Sequence, residues 1–153
     1  MAKYLAGDIL TAALLEDDVD DWDTYVPAWT ASVNPAIGNG TLTGRYKQFG
    51  KIVVVDVGML AGTTTTFGTS QWFFSLPVTA LQPGHPLNDP YMGHWHGWDN
   101  SLTQHRMGPV ILTGTTTMSF HTHADPAAGV TSAAPMTWAT SDRLTARGLY
   151  HAA

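Results

Sequence analysis

The sequence predicts an all-β protein: an antiparallel β-sandwich or jelly roll of about eight strands, preceded by a short N-terminal helix. Three observations carry this. From Val26 onward, apolar or β-branched residues alternate with polar ones in short runs. Clusters of Gly, Pro, Thr and Asn separate the runs at the spacing of a sandwich. Helical periodicity is confined to the first residues of the chain.

In "GDILTAALLEDDVDDW", Asp8 or Thr11 can cap a helix in which Ile9, Leu10, Ala13 and Leu14 form one apolar stripe. A helix of about 8–10 residues is marginal alone and needs a surface to dock on. The acids at 16–23 follow it, where they oppose the helix dipole, so they read as a solvated connector. They do not make a calcium loop, because "DDVDDWD" lacks the glycine and the distal Glu of an EF-hand. The expected division is residues 1–25 for helix and connector and residues 26–153 for a β-sandwich head.

Strands follow in "TYVPAWTAS" and "GTLTGRYKQFG", with Gly-Asn-Gly at 38–40 as a turn. "KIVVVDVGML" (51–60) places Val53, Val55 and Val57 on one face and Ile52, Val54 and Asp56 on the other. A Thr/Gly connection (61–70) leads to an aromatic strand at 71–76, which Pro77 ends. Residues 82–100 read as a long loop holding a strand at "YMGHWHGW", and 108–124 as two strands about a Thr/Gly turn. A last pair is expected at 131–140 and 143–152. "LAGTTTTF" and "LTGTTTM" echo each other as two similar hairpins.

The chain of 153 residues suits one domain, and such a chain buries roughly 68–70% of its unfolded surface. Charged residues make up 12% of it, half the usual ~25%, so much of the surface is neutral or met by partners. Residues 1–23 hold seven acids against Lys3, while the remainder holds five acids and six Lys/Arg. No basic stripe is available for nucleic acid. No cysteine is present for a disulfide, a thiolate metal site or a thiol nucleophile. No apolar run reaches the ~18–20 residues of a membrane span, and the N-terminus lacks a secretory signal pattern. The protein is therefore expected to be soluble, made in a cytoplasm, without membrane insertion and without a cofactor.

The 71–76 strand is apolar on both faces: Trp72, Phe74 and Leu76 point one way and Phe73 the other. Trp72, Phe73 and Phe74 are accordingly candidates for a subunit interface. His94 with His96, and His121 with His123, are i, i+2 pairs whose imidazoles share a face on a strand. Neighbouring strands would bring four imidazoles together for Zn²⁺, Ni²⁺ or Cu²⁺; the competing reading places them in a polar loop or an interface, and no metal is favoured. Hydrolysis has little support. No Gly-x-Ser-x-Gly elbow occurs, and a carboxylate pair would have to come from Asp56, Asp89, Asp99, Asp125 and Asp142. No catalytic residues are expected. Tyr91, Trp95 and Trp98 in a Gly/Pro-rich stretch offer rings for stacking on a glycan, or anchors for the loop itself.

Four stretches in the same order carry a resemblance: "AGDILTAALL", "YVPAWTASVNPAIGNGTLTGRYKQFGKIVVV", "GTTTTFGTSQWFFSLPV" and "APMTWATSDRLTARGLYHAA". They are similar to minor tail and other virion structural proteins of phages that infect Actinobacteria. The resemblance covers most of 5–81 and 130–153 and is weak over 82–125, where the His-rich segment is particular to this chain. It implies a homotrimeric β head displayed on the particle, a minor tail or fibre-like protein contributing to host attachment. The alternative is a capsid decoration protein anchored by its N-terminal segment; a carbohydrate-binding module or a His-metal enzyme stands further off. Implied partners are further copies of the chain, the tail tip, baseplate or major capsid protein, and a host cell-surface glycan. Ile9, Leu10 and Leu14 would make the docking contact. The Asn that follows "LTAA.L" in such proteins is missing, and "EDDVDD" stands in its place.

Overall fold

The computed structural model describes Ile9, Thr11 and residues 22–83, 90–125 and 128–153. The expected helix at 8–15, with Leu10 and Leu14, falls outside them except for Ile9 and Thr11, which are exposed. The described residues hold nine strands: β1 (Asp23–Tyr25), β2 (Trp29–Thr30), β3 (Thr41–Phe49), β4 (Ile52–Leu60), β5 (Phe73–Ser75), β6 (Tyr91–Asp99), β7 (Gln104–Leu112), β8 (Thr117–Phe120) and β9 (Arg143–His151). All pair antiparallel in one sheet of order β1-β3-β4-β9-β6-β7-β8-β5-β2.

That order has β1 and β2 at opposite ends of the sheet, although only Val26, Pro27 and Ala28 separate them. The sheet must therefore curl until its ends meet, giving an all-β sandwich-like roll. Ser75 on β5 seals the seam: its amide donates to Ala28 O (3.0 Å), its hydroxyl accepts from Ala28 N (2.9 Å), and its carbonyl accepts from the Tyr25 hydroxyl (3.4 Å). A roll closed in this way leaves few unpaired strand edges. Pro27 lies between the two ladders, where its missing N–H breaks neither.

The alternation read from the sequence sets which side faces in. Val53, Val55, Val57 and Met59 of β4 and Leu144, Ala146 and Tyr150 of β9 are buried inside the roll. Trp72 sits among Trp29 (4.8 Å, edge-on), Trp138 (5.1 Å) and Phe67 (6.2 Å, stacked), contacts worth about 0.5–1.5 kcal/mol each beyond area burial. A bulge between Tyr91 and Gly93 shifts the register of β6, so that both Met92 and Trp95 point inward.

Two expectations are corrected. Residues 131–140 do not form a strand. Thr131 Oγ1 accepts from the amides of Ala133 and Ala134, folding a turn, and Pro135 has no amide for a ladder. β9 instead takes a central place between β4 and β6. The second correction concerns the interface trio. Trp72 and Phe74 are 0% exposed within the chain's own core, which leaves them no surface for another subunit. Phe73, on the opposite face, is half-buried and paired with Thr30 and Ser119. The two apolar faces of the aromatic strand are thus served mostly from within the chain.

Candidate functional site

Charged and imidazole side chains gather on the outer face of β3, β4, β9, β6 and β7. Antiparallel register lines them up in rows across strands about 4.8 Å apart. Arg45 lies opposite Asp56, Asp56 opposite Arg147, and Arg147 opposite His94. The next row along is Thr43, Gly58, Thr145, His96 and Met107. The row between them, Gly44, Val57, Ala146 and Trp95, is the inward one, which leaves the alternate residues to face out.

Asp56 binds both guanidiniums. Arg147 Nε donates to Oδ1 (2.6 Å) and its Nη2 to Oδ2 (3.0 Å); Arg45 Nε donates to Oδ2 (3.0 Å), with its Nη2 2.9 Å away. Partial burial alone would raise the Asp56 carboxyl, but the hydrogen bonds and charges of Arg147 and Arg45 outweigh it and hold the group below the usual carboxylate value. In return, Asp56 raises the Arg147 guanidinium. The Trp22 ring caps the row, 4.7 Å from the Arg45 guanidinium carbon. Around this triad lies a groove of ≈ 560 Å³ whose lining includes Thr43, Gly58, Thr145, His94 and His96.

A second cleft of ≈ 540 Å³ adjoins it on the far side of β6, between Tyr91, His94, His96, Met107, Pro109 and His123. Its polar groups contact one another. The Tyr91 hydroxyl is 3.5 Å from His94 Nδ1, and His96 Nε2 is 2.6 Å from His105 Nδ1, one ring donating to the other. His105 also packs on Trp98 at 4.6 Å.

The histidine expectations divide. His94, His96 and His123 do border one cleft, but His121 turns away to Gln71 (3.1 Å) and Ser119 (2.9 Å). Among the described residues no group of three or more His, Cys, Asp or Glu side chains is arranged to hold a metal ion. His105, not His121, is the imidazole that joins the β6 pair.

The aromatic trio is also corrected. Trp95 is 1% exposed, and its ring N–H donates to His121 O at 2.7 Å inside the roll, so it cannot stack on a glycan. Tyr91 and Trp98 stand at opposite ends of β6, about 20 Å apart by strand rise, too far to clasp one sugar. Two of the scattered carboxylates are engaged within the fold. Asp142 is buried and accepts from Asn100 and Ala139 amides (2.9 and 2.7 Å). Asp99 accepts from the Ser101 hydroxyl and the Ser101 and Leu102 amides, which hold its carboxyl below the usual value. Both stitch loops together, and Asp89 lies outside the described residues.

Sequence reading missed the Arg45–Asp56–Arg147 row. One signal was present: Asp56 is the single charge in an otherwise apolar nine-residue strand, and a partly buried carboxylate is stabilised by cations on neighbouring strands. No family model, curated protein or solved structure matches the chain significantly.

Proposed function

We propose that the chain is a structural protein of a phage particle, a homotrimeric β head acting as a minor tail or fibre-like protein in host attachment, without catalytic activity of its own. The observation that carries this reading is where the tail-like segments fall in the fold. β5, β2, β1, β3, β4 and β9 come from them and run consecutively round the roll through the seam at 26–28. β6, β7 and β8, built from the segment where that likeness is weak, form one continuous wall. A shared scaffold carrying one particular wall is the construction expected of attachment proteins that vary in what they bind, because loops and exposed walls change at little cost to the core. The clefts beside His94 and His96 lie on or against that wall.

A subunit contact is available on the scaffold side. Phe49 pairs with Ile52 and Val54 with Leu149 across β3, β4 and β9, forming a contiguous apolar patch on the outer face. Phe49 is 53% and Leu149 47% exposed. A patch of this kind marks an interface more readily than a solvated wall, and it replaces Trp72 and Phe74 in that role.

The test is location. Gold-labelled antibody against the protein, applied to intact virions in negative stain, should mark the tail tip. Label spread over the head would move the assignment to a decoration protein anchored by residues 1–25. Virions without label would refute the reading.

A further inference from the structure

We infer that the groove over Asp56 is a binding site for an acidic saccharide, a sugar bearing a carboxylate. Its role in attachment rests on the reading above; its chemistry does not. Of the seven Lys and Arg in the chain, Arg45, Lys47, Arg143 and Arg147 occupy outward positions of β3 and β9. Asp56 is the sole carboxylate on β3, β4 and β9. The groove itself is lined by two of these cations, Arg45 and Arg147, against the one carboxylate of Asp56, a net positive site on a chain of formal charge −5, which favours an anionic occupant.

The anion's shape follows from the donors. Two guanidiniums supply about ten N–H groups, and Asp56 engages only Nε and Nη2 of each. Asp56 therefore sets both planar forks in place while leaving donors over, and a fork matches a carboxylate two bonds at a time. Arg147 and Arg45 retain 70% and 51% of their side-chain exposure. The hydroxyls of Thr43 and Thr145 and the His94 and His96 rings supply further donors and acceptors along the same groove, as sugar hydroxyls require. Gly58 keeps the floor low: a Cβ there would meet nothing nearer than Thr43 Cγ2 at 3.8 Å. The ≈ 560 Å³ of space falls in the range of roughly 300–1,000 Å³ typical of small-ligand sites.

Isothermal titration of the full chain with glucuronosyl-β1,4-glucose, against cellobiose as its neutral counterpart, tests this. The acid should bind at least about tenfold more tightly, and raising NaCl to about 300 mM should weaken it. Arg147→Gln should abolish the preference. Arg147→Lys should also weaken binding, since it keeps the charge and loses the fork. Arg143→Gln, on the same face but outside the groove, should bind as wild type. If Arg147→Gln fails to fold, Thr145→Val, isosteric on a strand, carries the test with an expected loss of several-fold. Equal binding of both sugars, unchanged affinity in Arg147→Gln or Thr145→Val, or tighter binding of an acidic peptide matching residues 16–21 would overturn the assignment. Those failures leave the location of the protein on virions unaffected, and unlabelled virions leave the sugar titration unaffected, so the two readings fail separately.

Discussion

Gly44→Ala should open the seam of the roll. Tyr25 lies opposite Gly44 in the β1–β3 register, and its ring covers the bare glycine Cα. A Cβ at Gly44 would stand 2.8 Å from Tyr25 Cδ1 and Cζ and nearer still to Cε1, so the ring must move. That ring packs against the core and its hydroxyl reaches Ser75 O across the seam. Overpacking of this sort costs about 1–3 kcal/mol, while replacing a strand glycine by alanine returns about 0.5–1 kcal/mol. Taking the middle of each range leaves a net loss of about 1 kcal/mol, or about 2–4 °C in Tm for a domain of this size. Gly58→Ala, two strand positions from Asp56 and open above, is the control. It has the same chemistry without the clash, and should raise Tm by about 1–3 °C. Thermal unfolding followed by circular dichroism measures both. A double-mutant cycle sharpens the result: in a Tyr25→Ala background, Gly44→Ala should lose its penalty. A Gly44→Ala protein as stable as wild type, or an additive cycle, would refute the claim that a tyrosine–glycine contact closes the roll.

Three further outcomes follow from other contacts. The Tyr150 hydroxyl donates to Val78 O (2.7 Å) and accepts from Val78 N (3.2 Å), so Tyr150→Phe should cost about 1–3 kcal/mol by leaving both without a partner. Burial pushes that hydroxyl up to about 12; its contribution is therefore complete below the unfolded value near 10 and should fade between about pH 10 and 12, which alkaline melts of the two proteins would register. The Asp56 carboxyl is held low in the folded chain, so its stabilisation is present above the unfolded value of about 3.9 and is lost as pH falls through the folded one. The Tm gap between wild type and Asp56→Asn should accordingly be widest near neutrality and shrink below about pH 4; a gap that stays constant down to pH 3 would contradict the triad's role. If the proposed trimer forms through the outer patch, Leu149→Arg should leave a monomer of 16.5 kDa by light scattering with unchanged far-ultraviolet dichroism, and a wild-type protein that is already monomeric would remove the outer patch as an interface.

What could be read from the residues, and what could not, separates along physical lines. Alternation is a local property, so the inward set Val53, Val55 and Val57 and the limits of β4 and β9 were legible from period-two patterning alone. Position in the sheet is not local. "TYVPAWTAS" reads as one strand, and nothing within it says that its halves pair with β3 and β5 at opposite ends of the sheet. The difference decides the fate of Trp72 and Phe74, since a sheet rolled upon itself can bury apolar side chains that an open sheet would offer to a neighbour. Side-chain direction on β6 fails for a similar reason. One bulged residue near Gly93 re-aims the strand and leaves Trp95 inside while His94 and His96 look out. The groove itself was the least legible part, because Arg45, Asp56 and Arg147 are 11 and 91 residues apart and meet only through strand register. Yet its central member was visible as a lone carboxylate in an apolar strand. Partly buried on that face, its carboxylate is held by one arginine from each flanking strand, and the guanidinium donors left unengaged are what the groove has to offer a ligand.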